Sequence, residues 1–188
     1  MLNLPNFLTL IRIAVIPVFL ALLSSRLYLD ALVVFIVGGL TDFLDGVAAR
    51  WMNQKTSLGA HLDPAADKLL VMSSFVMLGV IDAIPLWLVV LVVSRDIIIV
   101  LGYGLIYLLV EERLEVQPSL MGKLSTVFQL VTVTVVLVML ADPVLLHQQL
   151  DDALFVLTAA ATLFSGFQYL YRGLLWLQNR APSLNRLS

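Results

Sequence analysis

The chain has no cysteine, which excludes disulfides, thiolate metal sites and cysteine nucleophiles and leaves the redox compartment open. Charge is scarce too. Asp, Glu, Lys and Arg make up only 13% of 188 residues, and their sum is −2. A soluble domain carries about 25% charged residues, and nothing here forms the basic face that nucleic-acid binding requires. Low-complexity segments and internal repeats are also missing, so residues 1–188 read as a single domain.

What is present is hydrocarbon. Hydrophobic residues account for 61% of the chain, in runs that repeatedly exceed the roughly 18 residues needed to cross a bilayer. The pattern predicts an all-α polytopic membrane protein of six transmembrane helices, at about 7–24, 29–51, 62–81, 85–110, 122–141 and 150–176. The segment Met1-Leu2-Asn3-Leu4-Pro5-Asn6 is too short and uncharged for a signal-peptide start, so the first span is expected to be retained.

Cations set the expected orientation. With the N-terminus in the cytoplasm, cytoplasmic ends and loops hold Arg50, Lys55, Lys68, Arg113, Lys123, Arg172, Arg180 and Arg186. The other side holds Arg26 among Asp30, Asp82, Asp142, Asp151 and Asp152. The positive-inside rule then places both termini in the cytoplasm. Trp51, Trp87 and Trp176 fall near span ends as interfacial belt residues. The Gly38-Gly39 pair and Gly102-x-Gly104 read as places of close helix packing.

In so apolar a chain four carboxylates stand out, Asp42, Asp45, Asp63 and Asp67. Each costs about 2.5–3.5 kcal/mol at the centre of a membrane helix on insertion scales, and a divalent metal is the simplest compensating partner. Asp42 and Asp45 are three apart on the second predicted helix, and Asp63 and Asp67 are four apart on the third, so each pair shares a face. Hard oxygen ligands suit Mg²⁺, Mn²⁺ or Ca²⁺, whereas zinc prefers nitrogen or sulfur. Without metal the four would repel and raise one another's pKa values. They are numerous enough for two ions, the arrangement that stabilises both the attacking and the leaving oxygen in an in-line phosphoryl displacement. Gly46, Ala49 and Gly59 each lie one turn from an aspartate and leave room for a flat or phosphate-bearing group. Arg50 adds a cation whose guanidinium can hold phosphate bidentately.

Together these residues spell Asp-x-x-Asp-Gly-x-x-Ala-Arg, eight residues, then Gly-x-x-x-Asp-x-x-x-Asp. The chain resembles the CDP-alcohol phosphatidyltransferases at every defined position of that signature, Asp42, Asp45, Gly46, Ala49, Arg50, Gly59, Asp63 and Asp67. The resemblance implies an integral membrane enzyme that moves a phosphatidyl group from CDP-diacylglycerol to an alcohol and releases CMP. It further implies a homodimer of six-helix protomers, with two Mg²⁺ or Mn²⁺ ions per protomer on the four aspartates. Asp67 would also be the base for the acceptor hydroxyl; Asp42, Gly46, Ala49, Arg50 and Gly59 would bind CDP-diacylglycerol. The expected location is the inner (cytoplasmic) membrane of a bacterium, with the active site on the cytoplasmic side and no nucleic-acid partner.

The acceptor must be read elsewhere. Arg95 lies about ten residues into the fourth predicted helix, and Lys123 opens the fifth. A charge at that depth usually faces a polar cavity, so both are taken as acceptor-binding residues for a phosphorylated alcohol. Asn3-Leu4-Pro5-Asn6 with Thr9-Leu10-Ile11-Arg12 resembles the glycerol-acceptor branch of the family, which holds phosphatidylglycerophosphate synthases and eukaryotic-type cardiolipin synthases. The former usually show Arg-Glu and Gly-Lys-x-Lys-Thr where this chain has Arg95-Asp96 and Gly122-Lys123-Leu124-Ser125-Thr126. Ser94-Arg95-Asp96 and the missing second lysine are closer to the cardiolipin synthases, whose acceptor is phosphatidylglycerol, a singly charged phosphodiester; glycerol 3-phosphate is the alternative. Two other classes fit the pattern less well. A divalent-cation transporter also uses carboxylate rings, but here all four lie towards one membrane face beside a repelling Arg50. Intramembrane prenyltransferases need a longer chain and other spacings.

Overall fold

The computed structural model describes the backbone of residues 4–39, 59–110, 120–144 and 149–184, and the side chains of residues 14–39, 68–102, 120–144, 151–175 and 178. Among the described residues there are six helices and no strand. They are α1 (Leu4–Ser24), α2 (Tyr28–Gly39 within the described part), α3 (Gly59–Val80), α4 (Leu86–Val110), α5 (Leu120–Ala141) and α6 (Gln149–Leu184). The apolar periodicity anticipates each of them, with the larger differences at three ends. α1 begins at Leu4 and α3 at Gly59, each three residues ahead of the expected start, and α6 continues to Leu184, well past the expected 176. Polar residues carry no periodic signal, yet they extend a helix readily because each added turn satisfies its own backbone.

Two connections are tight enough to fix neighbours antiparallel. After α1 the Leu27 N–H bonds to the Leu22 carbonyl at 3.0 Å and the Arg26 N–H to the Leu23 carbonyl at 3.0 Å. After α3 the Ala83 N–H bonds to the Leu78 carbonyl at 2.9 Å and the Asp82 N–H to the Gly79 carbonyl at 3.2 Å. Both are Schellman turns, with Arg26 (φ 60°) and Asp82 (φ 57°) in the left-handed position that glycine usually fills. The Pro85 carbonyl then accepts from Leu88 at 3.0 Å, and α4 starts.

Packing centres on α3, which contacts α1, α4 and α5, while α6 contacts α4 and α5. The fully buried Phe19, Leu23, Phe75, Leu78, Leu88 and Val92 fill the space between them. Phe19 of α1 and Phe35 of α2 meet with ring centroids 5.7 Å apart and tilted by 39°, an attractive aromatic geometry.

The polarity is inverted relative to a soluble bundle. Ser74, Arg95, Asp96, Ser125, Gln129, Thr132, Thr158, Thr162 and Ser165 are buried, whereas Val80, Leu86, Val90, Leu101, Phe164 and Phe167 lie exposed. In water that outer surface would drive aggregation. In lipid it costs nothing, and interior hydroxyls become the adhesive between helices. Thr132 and Thr158 hydrogen-bond across α5 and α6 at 2.7 Å, and Ser125 and Thr162 do so at 3.3 Å, with the Gln129 amide reaching Ser125 at 3.5 Å. Two helices among the described residues, Leu120–Ala141 and Asp151–Leu175, are long and apolar enough to cross a membrane.

Close approach falls partly where the glycines predict it. A Cβ on Gly38 would sit 3.5 Å from Leu70 and 3.8 Å from Val15, so this glycine does let three helices meet. Gly39 and Gly102 have nothing within 4 Å, so the expected tight packing is not found at those two; Gly104 lies outside the described side chains. The tightest site is instead Gly79, where a Cβ would stand 2.8 Å from Val89 Cγ2 across the α3–α4 hairpin. Val89 is buried and β-branched, with little room to turn away. Gly79→Ala is therefore expected to destabilise the fold by about 1–3 kcal/mol through overpacking, despite alanine's better helix propensity. Gly102→Ala should be neutral or slightly stabilising, and unfolding of both variants in detergent micelles compares them.

Candidate active site

The site is built from α3 outward. Because α3 is continuous from Gly59, positions 59, 63 and 67 stand at successive i, i+4 steps along one side of it, about 6 Å apart along the axis. The buried stripe of the same helix runs through Val71, Ser74, Phe75 and Leu78. Four and eight residues before Val71 come positions 67 and 63, in helical register with that stripe. The side chains of Asp63 and Asp67 lie outside the described ones, as do residues Asp42, Asp45, Gly46, Ala49 and Arg50 altogether. Among the described residues no group of three or more metal-ligating side chains occurs.

The next helix breaks its own apolar pattern. On α4 the buried positions Leu88, Val89 and Val92 are followed by Arg95, 7% exposed, and Asp96, 2% exposed. Buried charge persists only when paired, and here the pairing spans three helices. Asp96 Oδ1 accepts from Arg95 Nη1 at 2.5 Å and from Lys68 Nζ of α3 at 2.6 Å. The other terminal nitrogen of Arg95, Nη2, donates to Ser165 Oγ of α6. The guanidinium also stands 5.8 Å from the Tyr169 ring centroid, within cation–π range. Gly166 makes room for the arginine stem, since a Cβ there would lie 3.6 Å from Arg95 Cγ.

Two features give this cluster chemical capacity. Two cations share one carboxylate oxygen, so one positive charge is left over among the described residues. Arg95 Nε is also buried with no hydrogen-bond partner. A buried surplus cation with a spare N–H is suited to an anion.

The sequence-level candidates fare differently. Arg95 is in the interior, as anticipated for an arginine at that depth. Lys123 is exposed in the first turn of α5 and makes no hydrogen bond or ion pair to Arg95 or Asp96. Lys68, counted above only among the cytoplasmic cations, is the residue that joins the aspartate helix to the buried pair, and Ser165 and Tyr169 went unnoticed. One signal pointed to Lys68: it directly follows Asp67, and a buried carboxylate at position 96 needs a cation from a neighbouring helix. The adjacent Arg95 masked that need.

A family model described as CDP-alcohol phosphatidyltransferase matches residues 2–168. The chain belongs to that family. It is 32% identical over 184 residues to the CDP-diacylglycerol–glycerol-3-phosphate 3-phosphatidyltransferase of Bacillus subtilis, covering 90% of this chain and 94% of that one. It is 34% identical over 181 residues to a probable phosphatidylglycerophosphate synthase of Mycobacterium tuberculosis, covering 92% and 82%. It is also 42% identical over 99 residues to the cardiolipin synthase (CMP-forming) of Homo sapiens, covering 52% of this chain and 33% of that one.

This phosphatidyltransferase is thus an enzyme of phospholipid biosynthesis, in a family of membrane proteins that uses divalent cations. Carboxylates are the hard oxygen donors that such an ion takes, and α3 sets the backbone of two aspartate positions one turn apart, next to a Lys68 that is held by Asp96.

The pairing predicts a stability effect. Arg95→Ala leaves Asp96 with Lys68 alone and Ser165 without its donor, and should cost about 3 kcal/mol, the low end for breaking a buried ion pair because one cation remains. Denaturant unfolding in micelles measures this.

Proposed function

We propose that the enzyme is a phospholipid synthase that transfers the phosphatidyl group of CDP-diacylglycerol to a glycerol-type acceptor with release of CMP, and that the acceptor is phosphatidylglycerol, making it a cardiolipin synthase. It works as a homodimer of six-span protomers with both termini and the active site on the cytoplasmic side, in the inner membrane of a bacterium. The outward apolar surface of the helices supports the spans, and the cation pattern supports the orientation.

Asp42, Asp45, Asp63 and Asp67 would hold two Mg²⁺ or Mn²⁺ ions. When bound, these ions neutralise the diphosphate and stabilise the departing CMP. Gly46, Ala49 and Gly59 leave space for the CDP group, and Arg50 pairs with its diphosphate. Asp67 takes the proton of the acceptor hydroxyl, whose oxygen forms the new bond to phosphorus as the bond to the CMP oxygen breaks. Arg95 and Lys123 hold the acceptor phosphate.

The observation that carries the choice of acceptor is the charge at the buried cluster. Where phosphatidylglycerophosphate synthases usually have a second lysine, this chain has Ser125, fully buried and bonded to Thr162. Without that lysine, and with the charge of Arg95 already shared with Asp96, the cationic pull on the acceptor is weaker than a second lysine would make it, which suits a phosphodiester better than the near-dianionic monoester of glycerol 3-phosphate. Glycerol 3-phosphate is the second reading, favoured by the names of the relatives matched along almost their whole length.

A product assay decides between them. Purified protein with Mg²⁺ or Mn²⁺ and CDP-diacylglycerol is offered phosphatidylglycerol or glycerol 3-phosphate in separate tubes, following CMP and lipid mass. Cardiolipin from the first tube alone is the expected result; phosphatidylglycerophosphate from the second overturns the acceptor and keeps the reaction. Asp67→Asn should lower turnover on the order of 10²–10⁴-fold, the usual contribution of a positioned base, with CDP-diacylglycerol binding partly retained. Arg95→Lys should raise KM for the acceptor about tenfold and leave that for CDP-diacylglycerol unchanged. Equal rises in both would assign Arg95 a structural role.

A further inference from the structure

Lys68 has a partner but no part in the scheme above. Its side chain is one-third exposed, yet its ammonium is committed at 2.6 Å to a carboxylate that is 2% exposed on the next helix. A helix turns about 100° per residue, so position 68 lies about 100° around α3 from position 67 and about 140° from position 63. Anchoring Lys68 to α4 therefore fixes the rotation of α3 about its axis, and with it the angle at which the 63–67 edge meets the bundle.

The other α3–α4 anchor is far away. Gly79 against Val89 holds the turn end of the hairpin, eleven residues or about 16 Å along the axis from Lys68. Towards the aspartates, Lys68–Asp96 is the only hydrogen bond or ion pair between α3 and α4 among the described residues. Asp96 is in turn held by Arg95, which is tied through Ser165 to α6. The anchor thus belongs to a four-residue chain running from the aspartate helix across the bundle.

We propose that Lys68 and Asp96 are positioning residues that hold α3 in the rotation at which Asp63 and Asp67 bind a divalent cation. This rests on the reading of those aspartates as metal ligands, and it makes a prediction opposite in sign to simple electrostatics. Lys68 is a positive charge adjacent to that site. Were it merely a neighbour, its removal would relieve repulsion and tighten cation binding. As a positioning residue, its removal weakens binding, as loss of outer-shell partners does by about 10–100-fold.

The experiment is Mn²⁺ binding to the purified full-length protein in micelles, read from the free-ion electron paramagnetic resonance signal, with thermal unfolding of the same samples. Wild type, Lys68→Met, Lys68→Arg, Asp96→Asn and Asp67→Asn are compared. The expected result is weaker Mn²⁺ binding in Lys68→Met and Asp96→Asn by about tenfold or more, recovered in Lys68→Arg, whose guanidinium can still reach Asp96. Unchanged or tighter binding in folded Lys68→Met, with binding lost in Asp67→Asn, overturns the positioning role and leaves the metal site standing. A lowered Tm with unchanged Mn²⁺ affinity assigns the pair to stability alone and also overturns it. Should Lys68→Met not fold, Asp96→Asn and Lys68→Arg carry the comparison. Wild-type protein that binds no Mn²⁺, or Asp67→Asn that binds it normally, sinks the metal reading and the proposal together.

Discussion

One oxygen atom, Asp96 Oδ1, accepts from two cations that arrive from different helices. Removing a carboxylate from water inside a membrane protein is affordable only with such company, and supplying it brings Lys68 of α3 and Arg95 of α4 together, with Ser165 of α6 drawn in through the far side of the guanidinium. The requirement for paired charge thereby dictates which helices must be neighbours at this depth. Apolar packing alone would not, since lipid tails offer Leu and Val as good a contact as another helix does.

The same economy organises the rest of the interior. Between α5 and α6 the adhesive is a ladder of hydroxyls, Ser125 with Thr162 and Thr132 with Thr158, each contributing on the order of 0.6–2 kcal/mol in a bilayer. Among the described residues buried charge is thus concentrated at one level, around Arg95, while the other buried polar contacts are neutral. Among the described residues a surplus cation is held at one place in the interior, and the aspartate positions of α3 begin immediately beside the lysine that helps to hold it.

Much of this was legible beforehand. Helix positions followed from apolar runs, because a segment that must satisfy every backbone group internally has few alternatives to a helix. The family was legible because its signature fixes residue types at set spacings, and the family match agrees with it. What was not legible is which polar residue meets which. Lys68 and Asp96 are 28 residues apart and Arg95 and Ser165 are 70 apart, and nothing periodic connects them. Gly79 was passed over for a similar reason: a lone glycine says that space is short, but only the opposing Val89 says how short. Lys123 lies exposed in the first turn of α5, and a cation at a helix entrance looks the same in sequence whichever way it turns.

The two Schellman turns carry a consequence for biogenesis. With so few residues between α1 and α2 and between α3 and α4, neither member of a pair can change sides of a bilayer without its neighbour. On the proposed six-span arrangement the unit that enters the membrane is then the hairpin, and a decision on the direction of α1 or α3 would settle that of its partner. Arg26 and Asp82 sit at the two tips, in a backbone conformation that costs a non-glycine residue roughly 1–2 kcal/mol. On the proposed six-span arrangement Arg26 would carry a positive charge across the membrane at one tip and Asp82 a negative one at the other, so the two insertions would face electrical barriers of opposite sign.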